Sequence, residues 1–327
     1  MVEGEGGRAT GRIIRDIFLK HFSNPLLDTL ADSAVLNFSG GKLAFSTDNF
    51  VIDPPEFIGG DIGKLAFCGT VNDLSAVGAK PIALSAGFIL EEGLSKDQLE
   101  KYVQSMATLS TENDIPIVCG DTKVVPHGKG DGLYINTAGI GIVPDNCNLG
   151  VNMIEEGDVL IISGSIGRHA ASIIALRENL HADPPMKSDC APLNNLVQQI
   201  LQENIAVHCM RDPTRGGLGG IIVELAEQSG YGIEINETDI PIDKDVKALC
   251  EIYGYDPLYL PCEGRMLFYV AAKNAEKALE LIENLYPEEN PSIIGEVKSK
   301  SGVFLKTKSG GVRRLIAPEG APLPRIC

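Results

Sequence analysis

Residues 59–90 read GGDIGKLAFCGTVNDLSAVGAKPIALSAGFIL. From 62 to 79 the residues are apolar but small, the make-up of a helix packed closely on several sides. The glycine and polar residues between Gly69 and Asp73 predict a break in it. Residues 82–90 form an uninterrupted, mostly apolar run, which reads as a strand. Upstream, KLAFSTDNF (42–50) reads as a strand, stopped by Pro54-Pro55. Downstream, 96–113 carries Leu99, Val103 and Met106 at helical spacing. A buried strand at 115–119 then empties into a polar loop at 120–123, and 133–143 is a further strand. Strands alternating with helices place the chain in the α/β class.

The second half repeats the theme. Strands are expected at 159–162, 233–235, 265–271, 293–297 and 302–305. Helices are expected at 169–178, 192–203, from RDPTRGG (211–217) through 227, 243–253 and 274–285. Ile14, Ile17, Phe18 and Phe22 suggest one more helix, over 12–22. Pro144, Asn146, Asn148 and Gly150 mark a boundary between two domains. The expected organisation is a glycine-rich segment and helix at 1–38, an N-terminal domain at 39–150, a C-terminal domain at 151–315 and a Pro-containing tail at 316–327. A length of 327 residues suits two domains.

Forty-four acidic against 28 basic residues leave a net charge of −16, which opposes nonspecific attraction to nucleic acid or an anionic membrane. Tryptophan is absent. The eight cysteines are scattered without a CxxC pair, the usage of a reducing compartment. The opening residues lack the apolar stretch of a signal peptide, and no run is apolar enough to span a membrane. A cytoplasmic protein is expected. The five histidines show no metal spacing, and HExxH is absent.

Asp48, Asp73 and Asp121 each end or interrupt an apolar segment, where an acid can face a cleft. Clustered carboxylates repel unless a cation joins them, and oxygen ligands beside phosphate favour Mg²⁺. Aspartate is also an ordinary cap and turn residue. GGDIGK (59–64) is not a P-loop: three residues, not four, separate its glycines, and Leu65 follows the lysine. Lys64 and the local amides can still meet phosphate. In RDPTRGG, Thr214 can cap a helix, Gly216 and Gly217 leave amides uncovered, and Arg215 offers a guanidinium fork. GDTK puts Asp121, Thr122 and Lys123 side by side. Glu263, between an apolar segment and a strand, can accept a proton. Cys327, the last residue, follows Pro324-Arg325-Ile326 on an arm able to enter a pocket and leave it.

In order along the chain stand FSTDNFVIDP (45–54), GGDIGKLAFCGTVNDL (59–74), GFILEEGL (87–94), GDTKVV (120–125), NTAG (136–139), SDC (188–190), RDPTRGG (211–217), CEG (262–264) and the terminal PRIC (324–327). Together they resemble the hydrogenase-maturation carbamoyl dehydratases of the aminoimidazole-ribonucleotide-synthetase superfamily. PRIC points to that family and the other segments to the superfamily.

The resemblance implies a two-domain α/β fold. The N-terminal domains of a homodimer would build a β-barrel together, and a flexible tail would carry the acceptor Cys327. It implies Mg²⁺ and ATP, held by Gly6, Gly7, Asp48, Lys64, Asn72, Asp73, Asp121, Thr122, Thr214, Gly216 and Gly217, with the metal on Asp48, Asp73 and Asp121. Where relatives open with a histidine-glycine stretch, this chain has Glu3-Gly4-Glu5-Gly6-Gly7, which leaves a backbone clamp. Cys327, Glu263, Lys123 and Arg215 would be catalytic. The implied reaction dehydrates a carboxamide on Cys327 to a thiocyanate, for the cyanide ligand of a [NiFe]-hydrogenase iron. The implied partners are a carbamoyltransferase and an iron-carrying scaffold complex. Other ATP-using chemistry of the superfamily, or a non-catalytic scaffold, stays open at this point. Selenophosphate synthesis fits less well, since the first 67 residues contain no cysteine.

Overall fold

The computed structural model describes residues 27–31, 33–320 and 323–327. The helix expected at 12–22, and Gly6 and Gly7, lie outside the described residues. Among the described residues no helix is long and apolar enough to cross a membrane.

In chain order the first part holds β1 (Ala34–Phe38), β2 (Gly41–Phe50), the short hairpin β3 (Glu56–Phe57) and β4 (Gly60–Asp61), and α1 (Ile62–Ala76). β5 (Lys80–Glu91), α2 (Lys96–Glu112), β6 (Ile117–Val125) and β7 (Leu133–Val143) follow. One sheet runs β1-β2-β7-β5-β6. Its pairings are antiparallel except β5 with β6, so β6 is an edge strand held from one side.

α1 is continuous, against the expected break. Its glycines serve close approach, not interruption. A Cβ on Gly63 would lie 2.0 Å from the carbonyl oxygen of Tyr102 in α2, and one on Gly69 would lie 2.8 Å from the Phe50 ring. Only hydrogen fits there. The polar residues of α1 are satisfied: Thr70 and Thr137 hydroxyls meet at 2.6 Å, and Ser75 Oγ donates to the Val71 carbonyl at 2.7 Å.

GDTK differs from expectation too. It is part of β6, paired in parallel with β5 from Ala86 to Ile89. Only an edge strand, open to water, tolerates so polar a run.

The second part holds β8 (Val159–Ile162), α3 (Arg168–Arg177), α4 (Asn194–Gln202), β9 (Val207–Arg211), α5 (Gly217–Ser229), β10 (Gly232–Asn236) and α6 (Lys244–Tyr253). β11 (Leu267–Val270), α7 (Ala275–Leu285), β12 (Ser292–Lys298), β13 (Gly302–Lys306) and β14 (Val312–Leu315) complete it. They form a sheet in the order β14-β13-β10-β12-β8-β11-β9. Side chains alternate across it. Leu160, Ile162, Leu267 and Tyr269 pack with α5, while Ile161, Phe268 and Val270 pack with α4 and α7. Cover on both faces explains why β8 and β11 lack the apolar–polar alternation of a half-exposed strand. β1, β9 and β14 were not expected from the sequence. They are short, and all three lie at sheet edges.

A further core joins the two parts. Phe50, Phe57, Leu65 and Met106 of the first part pack in one cluster with Ile173, Leu249 and Leu260 of the second, and with Leu323 and Ile326 of the tail.

Candidate active site

The site forms where five segments meet: the end of β2, α1, the two segments 211–217 and 260–265, and the tail. Segments 211–217 and 260–265 are stitched by the Cys262 amide donating to the Pro213 carbonyl at 2.9 Å. Gly216 and Gly217 adopt φ of +88° and +61°, the left-handed region that favours glycine. A Cβ on Gly217 would meet the Leu258 carbonyl oxygen at 2.7 Å. This close turn brings Arg215 beside Glu263. Thr214 does not cap α5; its carbonyl accepts the Gly217 amide at 2.9 Å, and Gly216 takes the cap position.

Arg215 shares its field with Cys327, Asp48, Glu263 and Asp73, and these acidic groups hold its guanidinium above its usual range. Glu263 is buried, 3% exposed, and its Oε1 has no hydrogen-bond partner among the described residues. Burial pushes its carboxyl well above the ordinary value, and Cys190, Asp212, Asp189 and Asp48 push the same way. Asp48 is also raised, by burial against the opposing pull of Arg215. Burial raises the Cys327 thiol strongly; Glu263 adds to this and Arg215 opposes it. Asp73 accepts a hydrogen bond from Ser46 Oγ at 2.7 Å.

The tail is seated in this cleft. The Val51 amide donates to the Cys327 carbonyl and the Asp53 amide to the Arg325 carbonyl, both at 3.1 Å, so the chain end extends β2 as a short antiparallel ladder. Leu323 and Ile326 are buried, and Cys327 is half-buried.

Asp121 stands elsewhere. Cross-strand register aligns Asp48 with Thr137, Ala86 and Gly120, and aligns Asn49 with Asn136, Gly87 and Asp121. Thr137 faces α1. The Asp48 row therefore lies under the helix and the Asp121 row on the opposite, open face. There Asp121 pairs with Lys123 at 2.7 Å, which with the Thr122 amide holds its carboxyl below the usual range. Asp121, Lys123, Asn49, Val51, Tyr134 and Asn136 line a cavity of about 450 Å³. Its Val51 wall is the residue that binds the chain end.

Two other expected ligands are engaged elsewhere. Lys64 donates through Nζ to the Gly59 carbonyl at 2.8 Å. Asn72 is buried, donates to the carbonyls of Ala191 and Glu263 at 3.1 and 3.4 Å, and accepts the Leu193 amide at 2.8 Å. Its amide ties α1 to the second part of the chain.

Among the described residues no group of three metal-ligating side chains is assembled. The carboxylates of Asp48, Asp73, Asp212 and Glu263 nevertheless outnumber the guanidinium of Arg215 in this cluster. All are hard oxygen donors. That surplus suits a cation arriving with phosphate ligands of its own better than a preformed cage.

The fold and site define a two-domain α/β protein of the AIR synthase related class. Residues 30–143 match the family described as AIR synthase related protein, N-terminal domain, and residues 155–308 its C-terminal domain. The chain is 43% identical to the carbamoyl dehydratase HypE of Azotobacter vinelandii, over 100% of this chain and 96% of that protein. It is similar to a crystal structure of a HypE–HypF complex, with a TM-score of 0.89 and 41% identity, over 94% of this chain and 99% of that one. It is also similar to a crystal structure of the hydrogenase maturation protein HypE in complex with ATP, with a TM-score of 0.84 and 43% identity over 98% of both chains. The chain belongs to the carbamoyl dehydratase family of hydrogenase maturation proteins.

Sequence reasoning gave no role to Asp212, His169, Ser188 or Arg177, all at or beside the seated tail. Asp212 lay inside RDPTRGG and Ser188 inside SDC, which was the available signal. His169 and Arg177 carried none.

Proposed function

We propose that this chain is an ATP-dependent carbamoyl dehydratase that converts a carboxamide on its own C-terminal sulfur to a thiocyanate, supplying the cyanide ligand of a [NiFe]-hydrogenase iron. The observation that carries this reading is the chain end seated on Val51 and Asp53, with the Cys327 thiol in the shared field of Glu263, Arg215 and Asp48.

A partner carbamoyltransferase loads Cys327 to give Cys–S–C(=O)–NH₂. The amide oxygen attacks the γ-phosphorus of ATP, and ADP leaves. Arg215 offsets charge developing on the transferred phosphoryl group. Glu263 takes a proton from nitrogen; its raised basicity suits it to this. The C–O bond breaks, phosphate departs, and Cys–S–C≡N remains. Of the two protons leaving nitrogen, one ends on phosphate as HPO₄²⁻ and one reaches solvent. Lys123, brought in by a second copy as Asp121 is, orients the amide. Asp48 and Asp73 would hold Mg²⁺, which would supply neutralisation of phosphate charge. The tail then swings out to pass cyanide to an iron-carrying scaffold complex.

The working unit is a cytoplasmic homodimer. Phe45, Val51, Ile89 and Ile142 are exposed together on the open face of the first sheet, and a second copy closing a barrel there would cover them. It would also give Asp121, Thr122 and Lys123 a nucleotide to meet. Gly6 and Gly7 would clamp it with backbone amides, and Gly216 and Gly217 would allow phosphate to approach. Neither nucleic acid nor membrane is a partner.

Mass analysis of the C-terminal peptide after incubation with a carbamoyl donor system and ATP tests the reading. The expected result is a carboxamide adduct that then loses one water. Thiocyanate forming on a chain with C327A overturns it, as does an adduct elsewhere.

A further inference from the structure

We propose that His169 and Arg177 of α3 form a latch that seats the tail by binding its main chain, so that both are positioning residues for the reaction on Cys327. Arg177 Nη2 donates to the Arg325 carbonyl at 2.7 Å, while its Nε donates to the Asp53 carbonyl at 2.7 Å. It thus joins the tail to the segment the tail pairs with. His169 Nε2 lies 2.7 Å from the Ile326 carbonyl oxygen, one peptide from Cys327.

The direction of that bond follows from its neighbours. A carbonyl only accepts, so Nε2 carries the proton. Nδ1 is then the acceptor, and Ser188 Oγ stands 2.8 Å away. The Cys190 amide donates to the same Oγ at 3.0 Å, leaving the hydroxyl proton for Nδ1. The relay runs from Cys190 through Ser188 and His169 to the tail. The Phe57 ring, in a T-shaped contact with centroids 5.2 Å apart, holds the ring plane of the imidazole. Burial lowers the histidine's proton affinity and keeps it neutral.

With the tail withdrawn, the Nε2–H that is buried while the tail is seated would lose its carbonyl acceptor. The relay therefore biases the tail inward, and it does so through backbone atoms whatever group the sulfur carries. Arg325, at φ +54°, makes the turn that presents both carbonyls, and its guanidinium lies 3.0 Å from Asp131. The latch rests on the reading that the tail delivers the reacting group. Its first test needs neither ATP nor donor, so failure of the latch and failure of the dehydratase reading are separable.

The experiment is alkylation of the full-length protein by iodoacetamide, followed peptide by peptide, for wild type, H169F, H169Q and R177A. H169F keeps ring volume and removes the donor; H169Q restores an N–H. Arg177 is only half-buried, so R177A keeps the test open if H169F fails to fold. The expected result is Cys327 alkylated about tenfold faster in H169F and R177A, with H169Q within about threefold of wild type and Cys68 and Cys190 still protected. In single turnover, dehydration of a preloaded tail should slow in H169F and R177A while loading by the carbamoyl donor does not. An unchanged Cys327 rate in both variants overturns the latch. So does a parallel rise at Cys68 and Cys190, which would report general loosening.

Discussion

Asp48 and Asp121 project from opposite faces of one sheet, separated by β7 and β5. One chain does not bring both carboxylates to one cation. If Asp121 serves the site of a second copy, D48N and D121N should each lower ATP-dependent turnover by about a hundredfold. Mixed dimers of the two should recover about a quarter of wild-type activity, since half the dimers are mixed and half their sites carry both natural residues. Turnover of refolded one-to-one mixtures checks this; no recovery would place both acids in one chain's site.

Glu263 should impose an acid limb on dehydration. Its carboxyl must be ionised to accept a proton, and burial lifts its folded pKa well above 4.5. Turnover should therefore fall as pH drops through a value higher than an ordinary carboxylate's. Between 4.5 and the lifted value the unfolded chain has lost a proton that the folded chain keeps, so stability falls as pH rises through that window. E263Q should abolish the acid limb, lower turnover by about 10²–10⁴-fold, and remove this loss of stability. Single-turnover pH profiles and thermal melts across the same range are the measurements.

Asn72 should matter for stability and not for nucleotide contact. N72A leaves a buried amide and buried carbonyls without partners, at a cost of about 3 kcal/mol. Urea unfolding should show that loss, while ATP affinity per folded molecule stays within about twofold of wild type. A large drop in affinity at unchanged stability would make Asn72 a ligand.

Gly63 has no room for a side chain, and the atom in the way is the Tyr102 carbonyl oxygen, which belongs to a helix and does not swing aside. G63A should cost about 3 kcal/mol by forcing α1 and α2 apart. A urea midpoint equal to wild type would show that the two helices shift freely.

The alternation of apolar runs and turn residues was enough to place most strands and helices within a few residues, since periodicity is a local property of the chain. RDPTRGG, CEG and PRIC marked the segments that meet at the site. Local pattern misled where the reason was distant. Gly69 looks like a breaker until Phe50 stands against it, and GDTK looks like a loop until β5 pairs with it. The sequence marks Asn72 and Lys64 as ligands, and only the folded chain shows the hydrogen bonds that each makes within it.

The order of residues along the chain settled the α/β class, the two-part organisation, the acidic balance and the presence of a thiol at the very end. None of these needs a distant contact. Folding in three dimensions settled which groups share a field: Glu263 with Cys327, Asp48 with Arg215, and His169 with the tail, while Asp121 turned to the other face. Such partnerships depend on strand register, helix packing and burial. The strength of a charge or hydrogen bond depends on how much water is removed around it, and that is a property of the folded whole.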